Sequence, residues 1–259
     1  MKTPFALAGV VLKELYRRKD FYVLFVLTAV ITLLLASVNF FNDDKIVRYL
    51  KEICLLLIWI SMLVIAIVTT ARQIPAERES RTIFPLLAKP VTRGQVILGK
   101  FLGCWFACGL ALLIFYAFFT VVTCSREGHW PLGGNLQALW LQWMMLAIVI
   151  ALALLGSLIF AAPSSNTTIC FVVVAGILLL GGHLNAIALQ QTEPLTSLIY
   201  AVYFIIPQLE IFDVRDLVIH DQQLLGWLDC LGASLYAAVY TGFFLLAAWL
   251  VFRRKPLSA

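Results

Sequence analysis

The chain has 259 residues, of which 62% are hydrophobic and 13% are charged, with a formal net charge of +5. Soluble domains carry about 25% charged residues, so this composition excludes a soluble globular domain and indicates an integral membrane protein. The basic residues flank apolar runs, as the rules of membrane insertion require, and we therefore expect the lipid bilayer and no nucleic acid as a partner.

Long apolar runs predict an all-α integral membrane protein with six transmembrane helices in a single domain over residues 1–259. We place the spans at about 21–41, 53–71, 99–122, 138–162, 167–189 and 230–252. The residues before the first span have apolar and charged faces at helical spacing, which predicts an N-terminal amphipathic helix at the membrane interface. A polar PSSNTT stretch at 163–168 predicts a tight cytoplasmic turn between the fourth and fifth spans.

The distribution of charge predicts the orientation of the spans. Basic residues concentrate at both termini and in the loop 72–98, and acidic residues dominate the connections on the other side. Because basic loops stay in the cytoplasm, we expect both termini and this loop there, in the inner (cytoplasmic) membrane of a bacterium. The segment 194–209 is apolar but too short to span, so we predict a re-entrant helical segment on the outer side, between the fifth and sixth spans.

The loop from Ile74 to Lys100 reads IPAERESRTIFPLLAKPVTRGQVILGK and is the longest charged segment between two apolar runs. Pro75 suits the first turn of a short helix, because its missing N–H has no partner there. Pro85 should end that helix, since proline cannot donate a backbone hydrogen bond. Thr92 and Gln95 have the spacing of a capping box, which predicts a second helix from about Arg93 into the third span.

This loop resembles the loop between the second and third spans in permease subunits of type-2 ATP-binding-cassette exporters. In that family it tends to contain an acidic pair, Gly-Thr, Leu-Leu, Pro, a basic residue and Gly-Lys. The corresponding positions here are Glu77 and Glu79, Thr82, Leu86 and Leu87, Pro90, Arg93, and Gly99 and Lys100. Arg81 stands where the family usually has glycine, and Pro85 interrupts the Leu-Leu region.

The resemblance implies that the loop forms a cytoplasmic coupling helix that docks into a separate ATPase subunit. The candidate partner-binding residues are Glu77, Glu79, Arg81, Thr82, Lys89 and Arg93. It also implies a dimer with a second permease, either a copy or a paralogue, that forms the export pathway. ATP would be bound and hydrolysed by the partner subunit. We therefore expect that this chain is not an enzyme and that it holds no catalytic residue, cofactor or metal.

Residues Gly94 to Lys100 have the spacing of a nucleotide-binding phosphate loop. Phe101, however, takes the place where Ser or Thr must hold magnesium, and no predicted strand precedes the motif. We therefore expect nucleotide binding in another subunit.

His183 and Asn185 lie toward the outer end of the fifth predicted span, where polar groups are costly and often functional. They are candidates for lining the transport pathway; the alternative is that His183 reaches interfacial water. Two other functions stay open. The chain could be an ion-coupled or accessory membrane transport protein, or an intramembrane enzyme that uses Ser157 with His183. The apolar spans do not indicate the substrate.

Overall fold

The computed structural model describes residues 9–10, 13, 19–37, 43–79, 92–128, 132–160, 162–188, 206–220 and 223–254. These residues fold into a bundle of helices. The helices are α1 (Lys19–Ser37), α2 (Asp43–Ala71), α3 (Gln73–Glu79), α4 (Arg93–Glu127), α5 (Leu132–Ile159), α6 (Pro163–Ala188), α7 (Arg215–Ile219) and α8 (Trp227–Arg254), with a 3-10 turn at Leu209–Phe212.

Four helical stretches in the described part are long and apolar enough to cross a membrane. They are Val47–Pro75, Arg93–Arg126, Leu132–Ile159 and Trp227–Arg254, which correspond to the predicted second, third, fourth and sixth spans. The apolar helical stretches at the first and fifth predicted spans are shorter, Tyr22–Leu34 and Pro163–Leu179. The all-helical membrane architecture is thus confirmed, whereas the number of six spans stays a prediction.

Helix α5 forms the centre of the bundle and packs against α2, α4, α6 and α8. It is apolar on all sides, as expected of a helix surrounded by others, and Met145, Ile150 and Leu154 are fully buried. Hydrogen bonds from the indole groups of Trp105 and Trp143 join α4 to α5. Trp105 Nε1 donates to the carbonyl of Trp143 and Trp143 Nε1 donates to that of Trp105, each at 3.1 Å.

The predicted start of the helix at Arg93 is confirmed by its cap. The backbone N–H of Gln95 donates to Thr92 Oγ1 at 3.3 Å, and the N–H of Thr92 donates to Gln95 Oε1 at 3.0 Å. The capping box therefore closes the first turn of α4. At the other end Gly128 takes a left-handed conformation, with φ of 70°, and its N–H donates to the carbonyl of Cys124.

Two predicted connections are helical instead. Residues 43–52, which are most of the outer loop 42–52 expected between the first two spans, form the first turns of α2. The prediction of a turn over 163–168 is also wrong, because α6 begins at Pro163. Proline is tolerated in a first helical turn, so the PSSNTT stretch continues into the helix.

Two other predicted features lie largely outside the described residues. Of the N-terminal interface helix, Gly9, Val10 and Lys13 are described and helical. The re-entrant segment 194–209 is described from Ile206 onward. Beyond it, the 3-10 turn contacts α5 and α6, and α7 contacts α2 and α5, so residues 209–219 lie against the bundle.

Candidate coupling site at the ends of the loop

The joint between α2 and α3 is the point where the loop leaves the bundle. Arg72 is a turn residue between the two helices, and the carbonyls on either side of it are bound by side chains from other helices. Asn166 Nδ2 of α6 donates to the carbonyl of Ala71 at 3.3 Å, and Lys100 Nζ of α4 donates to the carbonyl of Gln73 at 3.1 Å. The carbonyl of Ala71, which the end of α2 would leave unpaired, is thereby satisfied.

Lys100 also forms an ion pair with Glu77 of α3, with 2.7 Å between Nζ and Oε1. The lysine side chain is 2% exposed and the glutamate side chain 29%. A buried ammonium is tolerated only when it is paired and hydrogen-bonded, and Gln73 and Glu77 provide those partners. Lys100 therefore ties the beginning of the loop to the helix that follows it.

Asn166 is fully buried and bridges two helices. Its Nδ2 also donates to the carbonyl of Ala153 in α5 at 3.2 Å. Gly156 makes room for this side chain: a Cβ at that position would lie 2.2 Å from Asn166 Oδ1. Because such a contact is prohibitively short, any larger residue at 156 would displace the asparagine from the joint.

Arg93, the first residue of α4, binds the last turn of α8. Its Nη1 donates to the carbonyl of Phe252 at 2.5 Å and to that of Arg253 at 3.0 Å, and the guanidinium lies 5.4 Å from the centre of the Phe252 ring. A cation is favourable at a helix C-terminus, where the negative end of the dipole and unpaired carbonyls lie. The far end of the loop is thus attached to the last helix.

The structure brings two of the predicted site residues, Glu77 and Arg93, to this end of the bundle, and each is engaged with residues of the same chain. Glu79 lies in α3, with its side chain outside the described part. Arg81, Thr82 and Lys89 lie outside the described residues, as does the stretch around Pro85.

Sequence reasoning missed Gln73 and Asn166, and it treated Lys100 only as part of the family pattern and of the phosphate-loop spacing. The signal that could have identified Asn166 was its position in a polar stretch between two apolar runs. We interpreted that stretch as a turn. The phosphate-loop spacing falls inside a helix: Gly94–Lys100 belongs to α4, and the Lys100 ammonium is bound to Gln73 and Glu77.

A partly exposed charged pair lies beside α2, with 24% of the Arg215 side chain and 29% of the Asp213 side chain exposed. Asp213 and Arg215 form a two-pronged ion pair, with Nε–Oδ1 and Nη2–Oδ2 distances of 2.8 and 2.6 Å, and the hydrogen bond to Asp213 raises the pKa of Arg215. The guanidinium lies 4.9 Å from the centre of the Trp59 ring. Trp59 is near the middle of α2, about 24 Å from its Asp43 end at ~1.5 Å per residue. Sequence reasoning had left Arg215 in an outer connection.

The residues of the enzyme hypothesis are not brought together. Ser157 is fully buried, and its hydroxyl donates to the carbonyl of Leu154 at 2.6 Å in its own helix. His183 lies in α6, as does Asn185, and their side chains are outside the described part. The antiparallel register of α5 and α6 separates the backbones of Ser157 and His183 by about 25 Å along the bundle, at ~1.5 Å per residue. Among the described residues, no group of three or more His, Cys, Asp or Glu side chains could hold a metal ion.

The helices define an integral membrane protein built as a bundle around α5. The sequence matches the family model described as ABC-2 family transporter protein over residues 24–257, and the chain belongs to that family. It is a transmembrane transport permease. No curated protein sequence matches the chain significantly.

Proposed function

We propose that this permease is the membrane-spanning subunit of an ATP-binding-cassette exporter. It forms the translocation pathway as a dimer with a second permease and is coupled to a separate cytoplasmic ATPase subunit through the loop 74–100. ATP is bound and hydrolysed in that partner, and this chain supplies no catalytic residue. The membrane is the bacterial inner membrane, with both termini and the loop on the cytoplasmic side.

The observation that carries the proposal is the attachment of both loop ends to the bundle. Lys100 holds Gln73 and Glu77 at the first end, and Asn166 holds Ala71 beside them. Arg93 joins the second end to α8. A push on the loop would therefore act on several transmembrane helices together, which is the mechanical requirement for coupling. A loop that only set topology would need its charges and none of these attachments.

These contacts divide the predicted site residues into two roles. Glu77 and Arg93, two of the predicted ATPase-binding residues, also transmit movement inside the chain through their contacts with Lys100 and with the last turn of α8. Glu79, Arg81, Thr82 and Lys89 are the residues that contact the ATPase. His183 and Asn185 stay our candidates for the pathway.

The test is the composition of the tagged chain purified from its native membrane in mild detergent. We expect a soluble subunit with an intact phosphate-binding loop, in equal number with the permease. The double variant Arg81→Glu and Lys89→Glu should lose that subunit. Arg254→Glu, an exposed basic residue at the end of α8, is the matched control and should keep it. Recovery of the chain alone, or retention of the ATPase by the loop variant, would count against the proposal.

A further inference from the structure

The segment 206–220 carries charged side chains at the depth of the membrane's hydrocarbon core. The Arg215 guanidinium lies 4.9 Å from the centre of the Trp59 ring in α2. Trp59 is about 18 Å along α2 from Ala71, at ~1.5 Å per residue. The carbonyl of Ala71 binds Asn166 at the joint where the loop leaves the bundle. A hydrocarbon core about 30 Å thick that begins near this joint therefore encloses Arg215.

Helix α6 places a second charge of the segment at a similar depth. A Cβ at Gly181 would lie 3.6 Å from Glu210 Oε1, so this carboxylate lies against α6. Gly181 is about 22 Å along α6 from Asn166, at ~1.5 Å per residue. Two helices, each measured from the same joint, thus put charges of the segment within the thickness of the hydrocarbon core.

The segment has a buried apolar side and an exposed charged side. Its apolar residues Leu209, Phe212, Val214, Val218 and Ile219 are buried against the bundle. Its charged residues point away from the bundle: three carboxylates are exposed and the guanidinium is partly exposed. We call these four residues, Glu210, Asp213, Arg215 and Asp216, the charged edge.

A charged edge at this depth is incompatible with contact to lipid tails. Charged side chains within a membrane face the bundle interior or a water-filled cavity, because hydrocarbon cannot solvate them. The backbone gives the same indication. Asp213 and Val214 are non-helical and connect the 3-10 turn to α7. Irregular backbone at membrane depth is tolerated only where it is buried in protein or lines a water-filled cavity. The exposed edge therefore faces water.

We propose that the charged edge lines a water-filled outer vestibule of the translocation pathway. The inference rests on the proposed function, which places such a pathway between this permease and a second one. Three carboxylates and one guanidinium give the edge a net charge of −2. Walls of low dielectric constant focus such a field. The vestibule therefore admits neutral or positively charged polar groups of a substrate more readily than anionic ones.

The experiment measures access of water-soluble thiol reagents to the edge. Ile211→Cys is the reporter, because Ile211 is 45% exposed on the edge and its replacement keeps every charge. Leu235→Cys is the control. Leu235 is an apolar, 68% exposed position of α8 beside Tyr236, whose hydroxyl accepts a hydrogen bond from the Gln208 N–H at 2.8 Å, so the two sites lie at similar depths. Both variants also carry Cys124→Ser, since the other native cysteines are buried.

Right-side-out membrane vesicles that contain the permease and its ATPase are treated from outside with methanethiosulfonates that cannot cross the membrane. We expect modification of Ile211→Cys and none of Leu235→Cys, although both thiols react after denaturation in detergent. An unreactive Ile211→Cys, or equal reactivity of the two positions, would overturn the vestibule.

The charge of the reagent tests the selectivity. We expect a cationic methanethiosulfonate to be favoured over an anionic one at Ile211→Cys by about tenfold, relative to the same ratio for free glutathione. Adding Asp216→Asn should lower this preference about threefold, because it halves the net charge of the edge. Asp229→Asn is the matched control. Asp229 is exposed and about 10 Å further along α8 than Tyr236, a distance at which salt screens most of its field. An equal preference in all three variants would refute the selectivity.

The same vesicles separate this inference from the proposed function. Recovery of the ATPase with the permease, together with an unreactive Ile211→Cys, would reject the vestibule and leave the exporter standing. A reactive Ile211→Cys in a chain recovered without any ATPase would support a water-filled vestibule and count against coupling to that subunit.

Discussion

Replacing Glu77 by Gln tests the attachment of the loop most directly. The substitution keeps the shape of the side chain and removes the charge that faces Lys100 across 2.7 Å. Hydrogen bonds to charged groups contribute about 1.5–3 kcal/mol. Lys100 is 2% exposed and cannot recruit water in exchange, whereas Glu77 keeps contact with solvent at 29% exposure. We therefore expect a loss near the middle of that range, about 2 kcal/mol.

A loss of this size should lower the melting temperature in detergent by about 4–8 °C, since each kcal/mol shifts a chain of this size by roughly 2–4 °C. Glu52→Gln is the control, because it makes the same change at an exposed position of α2 and should have no effect. Lys100→Met completes a double-mutant cycle. The double variant should be more stable than the sum of the two single losses predicts, by at least about 1 kcal/mol. Additive losses, or an unchanged melting temperature for Glu77→Gln, would refute the reasoning.

Two further predictions concern the other contacts that attach the loop to this end of the helix bundle. Gly156→Ala should lower the melting temperature by several degrees, because a Cβ there meets Asn166 Oδ1 at 2.2 Å. Gly176→Ala is the control; it has open space around it and should be neutral or slightly stabilising. Equal effects of the two substitutions on the melting temperature would contradict the proposed place of Asn166. Arg93→Ala should speed amide hydrogen exchange in the last turn of α8, and Arg72→Ala, an exposed arginine at the joint, should leave that exchange unchanged.

Sequence patterns predicted the features that rest on local chemistry. The capping box at Thr92 and Gln95 fixed the start of α4, because both hydrogen bonds join residues three apart. The lengths of the apolar runs located the four long helices, because the length of a membrane span follows from the thickness of the bilayer. The family pattern in the loop agreed with the match over residues 24–257.

The contacts that tie the loop ends to the bundle could not be predicted in this way. Lys100 meets Gln73 across 27 positions, and Arg93 meets Phe252 across 159. No local periodicity encodes such distances. Asn166 was misjudged because a Pro-Ser-Ser-Asn stretch has the composition of a turn, and its two carbonyl partners appear only when three helices are packed. Polar residues beside apolar runs therefore require the tertiary structure before they can be interpreted.

The Lys100 contacts also set an upper limit on the mechanical work that can enter the bundle through α3. The ion pair with Glu77 contributes about 2 kcal/mol, as estimated above for Glu77→Gln, and the hydrogen bond to Gln73 adds to it. A displacement of α3 that requires less work than this should move α2 and α4 as one body. A larger load should detach the helix from Lys100 and leave the membrane segments in place. The contact between α3 and Lys100 would then transmit force only up to a limiting load, and replacing Glu77 or Lys100 would lower that limiting load.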